Sequence, residues 1–183
     1  MRTVTFGVGN SLDNFIARAD HGADWLQWND EIAAISAEYW KTIDTVLMGR
    51  KTYETALKYG TSSYPGVKNY VFSRTLPPDP SGEVEIVRAD AAEFTRALKQ
   101  RSGKGICVMG GGELANALFV ADLIDEVGVN IHPVLLGTGI PLFLPLQKQI
   151  DLTLVEHKVL ANGCVYLRYR VKDRGAGSKE REK

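Results

Sequence analysis

Hydrophobic and polar positions along this chain alternate between short apolar runs and stretches with helical spacing. Residues 3–9 (TVTFGVG) are β-branched and glycine-containing, and predict a first, central strand. Residues 10–17 (NSLDNFIA) predict a loop, and the polar residues 20–24 a turn. From residue 30 to 43 apolar side chains recur at Ile32, Ile35, Tyr39, Trp40 and Ile43, which is one face of a helix. Asp30 and Glu31 stand in its first turn, where the helix dipole favours acids. Residues 45–48 (TVLM) predict a buried strand ended by Gly49, and residues 50–58 a helix.

The second half of the chain repeats this alternation. Strands are predicted at 68–72, 84–87, 105–109 and 126–131, the last with the continuous apolar character of a strand buried on both faces. Helices are predicted at 90–100, with Asp90 as N-cap, and at 113–121. Residues 76–82 and 132–143 read as loops rich in Pro and Gly. Residues 152–160 and 164–171 flank Asn162-Gly163, a strong hairpin signal. Strand-helix alternation closed by a hairpin predicts an α/β domain over residues 1–171. Its sheet should be mostly parallel and covered on both faces, with antiparallel strands at one edge. Residues 172–183 are charged and glycine-containing, and predict a disordered tail.

Composition narrows the function classes. Lys plus Arg equals Asp plus Glu, 22 each, so no global field favours nucleic acid or an anionic membrane. Any anion site must be local. No apolar run approaches the roughly 20 residues that span a bilayer, and the start does not resemble a signal peptide, so the cytoplasm is the expected location. Cys107 and Cys164 lie in apolar runs and read as two core thiols, with one disulfide as the alternative. His21, His132 and His157 do not cluster with acids or cysteines at metal-ligand spacing, and no metal is expected.

Three strand-to-turn segments carry anion-binding chemistry. Gly49-Arg50-Lys51-Thr52 opens a helix, where free N–H groups, two cations and a hydroxyl converge. Gly110-Gly111-Gly112-Glu113 follows an apolar strand. Three consecutive glycines are costly in backbone entropy and expected where backbone and ligand nearly touch. Ser73-Arg74-Thr75 ends another strand, and its arginine fork and hydroxyls suit a phosphate monoester. All three lie at carboxyl ends of strands, where open α/β sheets bind ligands.

Taken in order, 11–17 (SLDNFIA), 46–54 (VLMGRKTYE), Ser73-Arg74 and 108–114 (VMGGGEL) resemble the motifs of the dihydrofolate reductase superfamily. Residues 133–143 (PVLLGTGIPLF) bring the chain closer to one branch, similar to the reductase domain of the bifunctional riboflavin-biosynthesis deaminase-reductase. The resemblance covers about residues 3–171 and implies a three-layer sandwich around a central eight-stranded sheet, NADPH-dependent hydride transfer and a homodimer. Carried over by position, Gly49, Arg50, Lys51 and Thr52 would line the pyrophosphate and the 2′-phosphate side of NADPH. Ser73 and Arg74 would hold the 2′-phosphate, Gly110, Gly111, Gly112, Glu113 and Leu114 would cradle the pyrophosphate, and Gly9, Ile16 and Ala17 would border the nicotinamide. The loop departs from the family in having Asn14 where glycine is common, and asparagine tolerates a left-handed backbone best among the alternatives. The family places one carboxylate beside its substrate. Asp30 and Glu31 are the candidates for that catalytic role here, and Asp13, Trp25 and Trp28 are candidates for substrate contact. The expected activity is reduction of a small, flat, polar heterocycle of pterin or riboflavin-pathway pyrimidine type; the alternative is a non-catalytic NADPH-binding sensor or interaction module. No zinc-deaminase motif accompanies the domain.

Overall fold

The computed structural model describes residues 1–61 and 63–172. The first strand, β1 (Val4–Ser11), is followed by the short β2 (Phe15–Ala17), helix α1 (Asp30–Lys41), strand β3 (Ile43–Gly49), helix α2 (Arg50–Lys58) and strand β4 (Lys68–Phe72). The chain continues through β5 (Val84–Val87), α3 (Ala91–Gln100), β6 (Gly105–Met109), α4 (Gly112–Val120), β7 (Glu126–His132), β8 (Ile140–Pro141), β9 (Leu152–Val159) and β10 (Val165–Val171). Eight strands form one sheet in the order β5-β4-β3-β6-β1-β7-β10-β9. All its pairings are parallel except the two made by β10, which runs antiparallel to β7 and to β9. This is the mixed α/β sandwich with an antiparallel C-terminal edge that the patterning predicts. The predicted tail at 172–183 falls, beyond Lys172, outside the described residues.

Alternation along the strands divides the core into two layers. Val4 and Phe6 of β1, Leu47 of β3 and Val108 of β6 pack with Leu114 and Leu118 of α4 and Leu98 of α3. Val46 and Met48 of β3, Val71 of β4 and Cys107 of β6 face the other way, against Tyr53 of α2 and, at the edge, Tyr39 and Trp40 of α1. On that second face β1 offers only Thr5, Gly7 and Gly9, and β7 places Gly128 beside Gly7. Small residues at the centre of the sheet leave space between it and α1. Cys107 and Cys164 are free and buried.

Three boundaries differ from the sequence reading, each for a local reason. Helix α1 stops at Lys41, and Ile43 begins β3; the Thr42 hydroxyl donates to Tyr39 O at 2.7 Å and closes the last turn. The predicted loop at 10–17 gives β1 two more residues and then forms β2, which pairs with β8 inside the second predicted loop at 132–143. The two segments lock because Gly139 has no side chain: a Cβ there would lie 2.3 Å from Ala17 O. Asp13 adds to the lock, its carboxylate accepting the N–H groups of Leu136 at 3.1 Å and Gly137 at 2.8 Å. Asn14 takes φ 63°, the left-handed conformation that the substitution for glycine demands.

Candidate functional site

A cleft of about 1160 Å³ runs along the carboxyl ends of the strands. One end is built by two helix N-termini. Gly49 precedes α2 and Gly111 precedes α4, and neither supplies a side-chain cap. The other helices are capped: Asn29 accepts from Ile32 N ahead of α1, and Asp90 from Ala92 N and Glu93 N ahead of α3. The uncapped pair therefore presents free N–H groups and two positive dipole ends to the cleft. Gly110 and Gly111 take φ 57° and 79°, and a Cβ on Gly111 would stand 3.2 Å from Thr52 Oγ1 and 3.8 Å from Gly49 N. The two helix starts approach this closely only because the turn carries no side chain.

Cations surround this end. Arg50 pairs with Glu54 at 2.9 Å along α2, and Lys51 lies 4.0 Å from Glu113 at the start of α4. These exposed pairs are weak and free to exchange for a ligand anion. Arg74 follows β4, and Arg88 follows the adjacent strand β5; both are exposed and both line the cleft. Arg88 Nη2 donates to Leu76 O at 3.1 Å, which brings its guanidinium to the loop that carries Arg74. Ser73 Oγ accepts the N–H groups of Thr75 at 3.2 Å and Leu76 at 3.0 Å, so it shapes that loop while its hydroxyl proton stays available.

The other end lies between α1 and the glycine-bearing face of the sheet. Ile32, Ile35, Ser36, Tyr39 and Trp40, one face of α1, form one wall, and Trp40 stacks on Tyr64 with centroids 4.9 Å apart. Across from them stand Thr5, Cys107, Asn130, His132 and Tyr166. Burial pushes the Cys107 thiol up to about 11 and raises Tyr39, Tyr166 and Tyr64 above the usual phenol value. Burial also lowers His132. These groups are therefore neutral at pH 7.

The family described as RibD C-terminal domain matches residues 2–166 of this chain. The chain belongs to this family. YwjB of Bacillus subtilis is 36% identical over 156 residues, covering 84% of this chain and 88% of that protein. YyaP of the same organism is 28% identical over 180 residues, 92% of this chain and 94% of that one. A solved structure from Shewanella sp. PV-4, named for riboflavin biosynthesis, superposes with TM-score 0.81 at 24% identity, over 94% of this chain and all of that one. The diaminohydroxyphosphoribosylaminopyrimidine deaminase/5-amino-6-(5-phosphoribosylamino)uracil reductase of Thermotoga maritima superposes with TM-score 0.68 at 18% identity, over 93% of this chain and 57% of that one. At these identities the two structures establish a shared fold.

Within this RibD C-terminal domain, the motif residues converge. Gly9, Ile16, Ala17, Gly49, Arg50, Lys51, Thr52, Ser73, Arg74 and 110–114 all line the one cleft, as does the exposed Trp28. Four other candidates do not reach it. Asp13 is held in the β2–β8 lock, where the Ser11 hydroxyl, followed by the N–H groups of Gly137 and Leu136, keeps its carboxyl below the usual value. Trp25 is buried edge-on against His132, centroids 5.5 Å apart. Asp30 is exposed on the first turn of α1. Glu31 accepts Ala161 N–H at 2.7 Å and ties α1 to the β9–β10 turn. The helical face that meets the cleft begins at Ile32, one residue past the two acids. Sequence reasoning passed over Arg88, Asn130, His132 and Tyr166. A signal existed for three of them: Arg88 directly follows a strand, and Asn130 and His132 alternate with Gly128 on one face of β7. Tyr166 becomes visible only once β10 is known to pair with β7, opposite Asn130.

Proposed function

We propose that this protein is an NADPH-dependent reductase of the RibD C-terminal-domain family. The observation that carries the reading is the meeting of two uncapped helix N-termini at Gly110-Gly111-Gly112, with Arg74 and Arg88 on the neighbouring strand ends. That donor set fits a dinucleotide phosphate. Peptide N–H groups and helix dipoles, with Lys51 and Thr52, would receive the pyrophosphate. Ser73, Arg74 and Arg88 would receive the 2′-phosphate, which forked guanidinium groups bind well. Gly9, Ile16 and Ala17 would then border the nicotinamide, whose bound form supplies a hydride. The chain's own part is to orient the two ligands and exclude water. We place the reaction in the cytoplasm, in a homodimer.

Arg74→Ala and Arg88→Ala, assayed by calorimetry with NADPH and NADH, test the assignment. Each loses charge-assisted hydrogen bonds of roughly 1.5–3 kcal/mol, so NADPH affinity should fall roughly tenfold to a hundredfold. NADH affinity should stay nearly constant. An unchanged ratio in both variants overturns the assignment. One observation favours the second reading, a binding module without turnover: among the described residues, no carboxylate lines the inner end of the cleft. Steady NADPH oxidation with any acceptor excludes it, and tight NADPH binding without oxidation supports it.

A further inference from the structure

We propose that the inner half of the cleft takes a neutral, flat ring compound bearing a ring carbonyl and neither phosphate nor carboxylate, held by the side-chain amide of Asn130. This rests on the reading above, in which the outer half holds the dinucleotide.

Charge is distributed along the cleft by strand order. Among the described residues, the Asp, Glu, Lys and Arg side chains that line it are Arg50, Lys51, Arg74, Arg88, Asp90 and Glu113. All six belong to the β5-β4-β3 side of the sheet or to the helix starts beside it. None comes from β1, β7, β10 or α1, which enclose the inner half. On the same sheet face Glu126 and Arg168 do carry charge, but they pair with each other at 3.2 Å and do not line the cleft. A phosphate or carboxylate placed in the inner half would leave water without meeting a lysine or arginine of the described residues, at a cost of several kcal/mol. A cationic ring would lack its carboxylate in the same way. This slot has Gly9 and Gly128 on its sheet side and Ile35 and Trp40 of α1 opposite, with the Tyr39 hydroxyl close to Gly7.

The polar contact follows from hydrogen-bond accounting around His132. Its Nδ1 accepts the N–H of Gln27 at 3.2 Å, and the Cys164 thiol also lies at Nδ1, 3.4 Å away. A neutral imidazole with Nδ1 accepting carries its proton on Nε2. Asn130 Nδ2 is placed 3.3 Å from Nε2, which would set a donor against a donor; turning the amide over puts its acceptor oxygen there instead. The opposite end of the amide, a buried position without a hydrogen-bond partner, is then the NH₂ group. A buried donor pair beside the cleft calls for an acceptor. A ring carbonyl in the slot supplies one, with no formal charge. His132 acts as a positioning residue that fixes which way the amide turns.

Binding without turnover tests this. Lumazine and lumazine-6-carboxylate share one flat dicarbonyl ring and differ by an anion. Each is titrated calorimetrically into the full-length protein at a pH where the ring is neutral, with saturating NADP⁺, which fills the outer half and cannot reduce the ring. Lumazine is expected to bind roughly tenfold or more tightly than its carboxylate. Asn130→Ala, and Asn130→Asp of nearly equal volume, should each weaken lumazine roughly tenfold while NADP⁺ affinity stays unchanged. His132→Ala should weaken lumazine in the same direction, and His132→Gln, which restores a donor to the amide oxygen, should recover part of the loss. Equal or tighter binding of the carboxylate, no lumazine binding at all, or lumazine affinity indifferent to both Asn130 variants would overturn the proposal. NADP⁺ binding is measured separately beforehand. If it fails, the titrations are run without it; the same discrimination then sustains the neutral slot while the dinucleotide assignment falls.

Discussion

At the scale of single residues, His132 joins stability to the site. It is 2% exposed, wedged among Trp25, Asn130 and Cys164, with Gly9 leaving just enough room: a Cβ there would lie 3.4 Å from Nε2. Burial lowers its pKa from 6.5. Above that value the folded and unfolded chains are both neutral at this position, and the contribution is complete. As pH falls below 6.5 the unfolded chain gains protons that folded His132 refuses, so stability declines until the pH passes the folded value. The urea midpoint should therefore fall between about pH 7.5 and about pH 5.5, a span set by histidine. His132→Gln should show a smaller fall, because the buried imidazole that resists protonation is gone. Carboxylates such as Asp13, whose pKa is lowered by Ser11, enter only at more acid pH. Equal falls in variant and parent would show that the buried imidazole does not resist protonation.

At the scale of elements, α1 shows both what the sequence makes legible and where that stops. Its apolar spacing identifies the helix to within two residues, and Asn29 explains its start, accepting Ile32 N–H at 2.9 Å. Periodicity says which residues share a face, but not whether the face meets a core or a cavity. The stripe of Ile32, Ile35, Tyr39 and Trp40 faces a cleft, because the opposing strand carries Gly7 and Gly9 where a core would place large side chains. The end proposed to hold phosphate is legible for a different reason: glycine turns and arginines at strand ends are local, and their chemistry survives without knowing the neighbours. The inner end is assembled from β1, β7, β10 and α1, and its polar atoms meet only through pairings such as Asn130 with Tyr166. The same geometry decides the role of Glu31. Its exposed bond to Ala161 N–H should contribute less than about 1 kcal/mol, so Glu31→Ala should lower the melting temperature by a few degrees at most and leave NADPH oxidation unchanged. Loss of turnover with intact NADPH binding would instead return that carboxylate to the chemistry.

At the scale of the whole molecule, the sheet has two unlike edges. At one, β5 is four residues long. At the other, β9 is eight residues long, and Leu152, Leu154, Val155 and Val159 on it are all more than a third exposed. A long edge strand with apolar residues on both faces invites pairing with another chain unless something covers it. Its charged centre limits how it can pair: Glu156 is held by Lys158 at 3.1 Å and Arg168 at 3.3 Å, so those charges are already compensated and need no rearrangement to become buried. The resemblance to the riboflavin reductases implies a homodimer, and β9 is the surface we expect it to use. A stable interface buries about 1,200–2,000 Å² in total, which requires the β9 face together with flanking side chains. The cleft lies at the carboxyl ends of the central strands and is built from one chain, so pairing through β9 should leave nucleotide affinity intact. Sedimentation equilibrium should therefore show a dimer at micromolar concentration. The double variant Leu154→Lys, Val159→Lys should shift it to monomer while NADPH affinity changes by less than about threefold, under 1 kcal/mol. A parent protein that sediments as a monomer at those concentrations would remove the dimer. A dimer that survives both lysines would move the interface elsewhere on the surface.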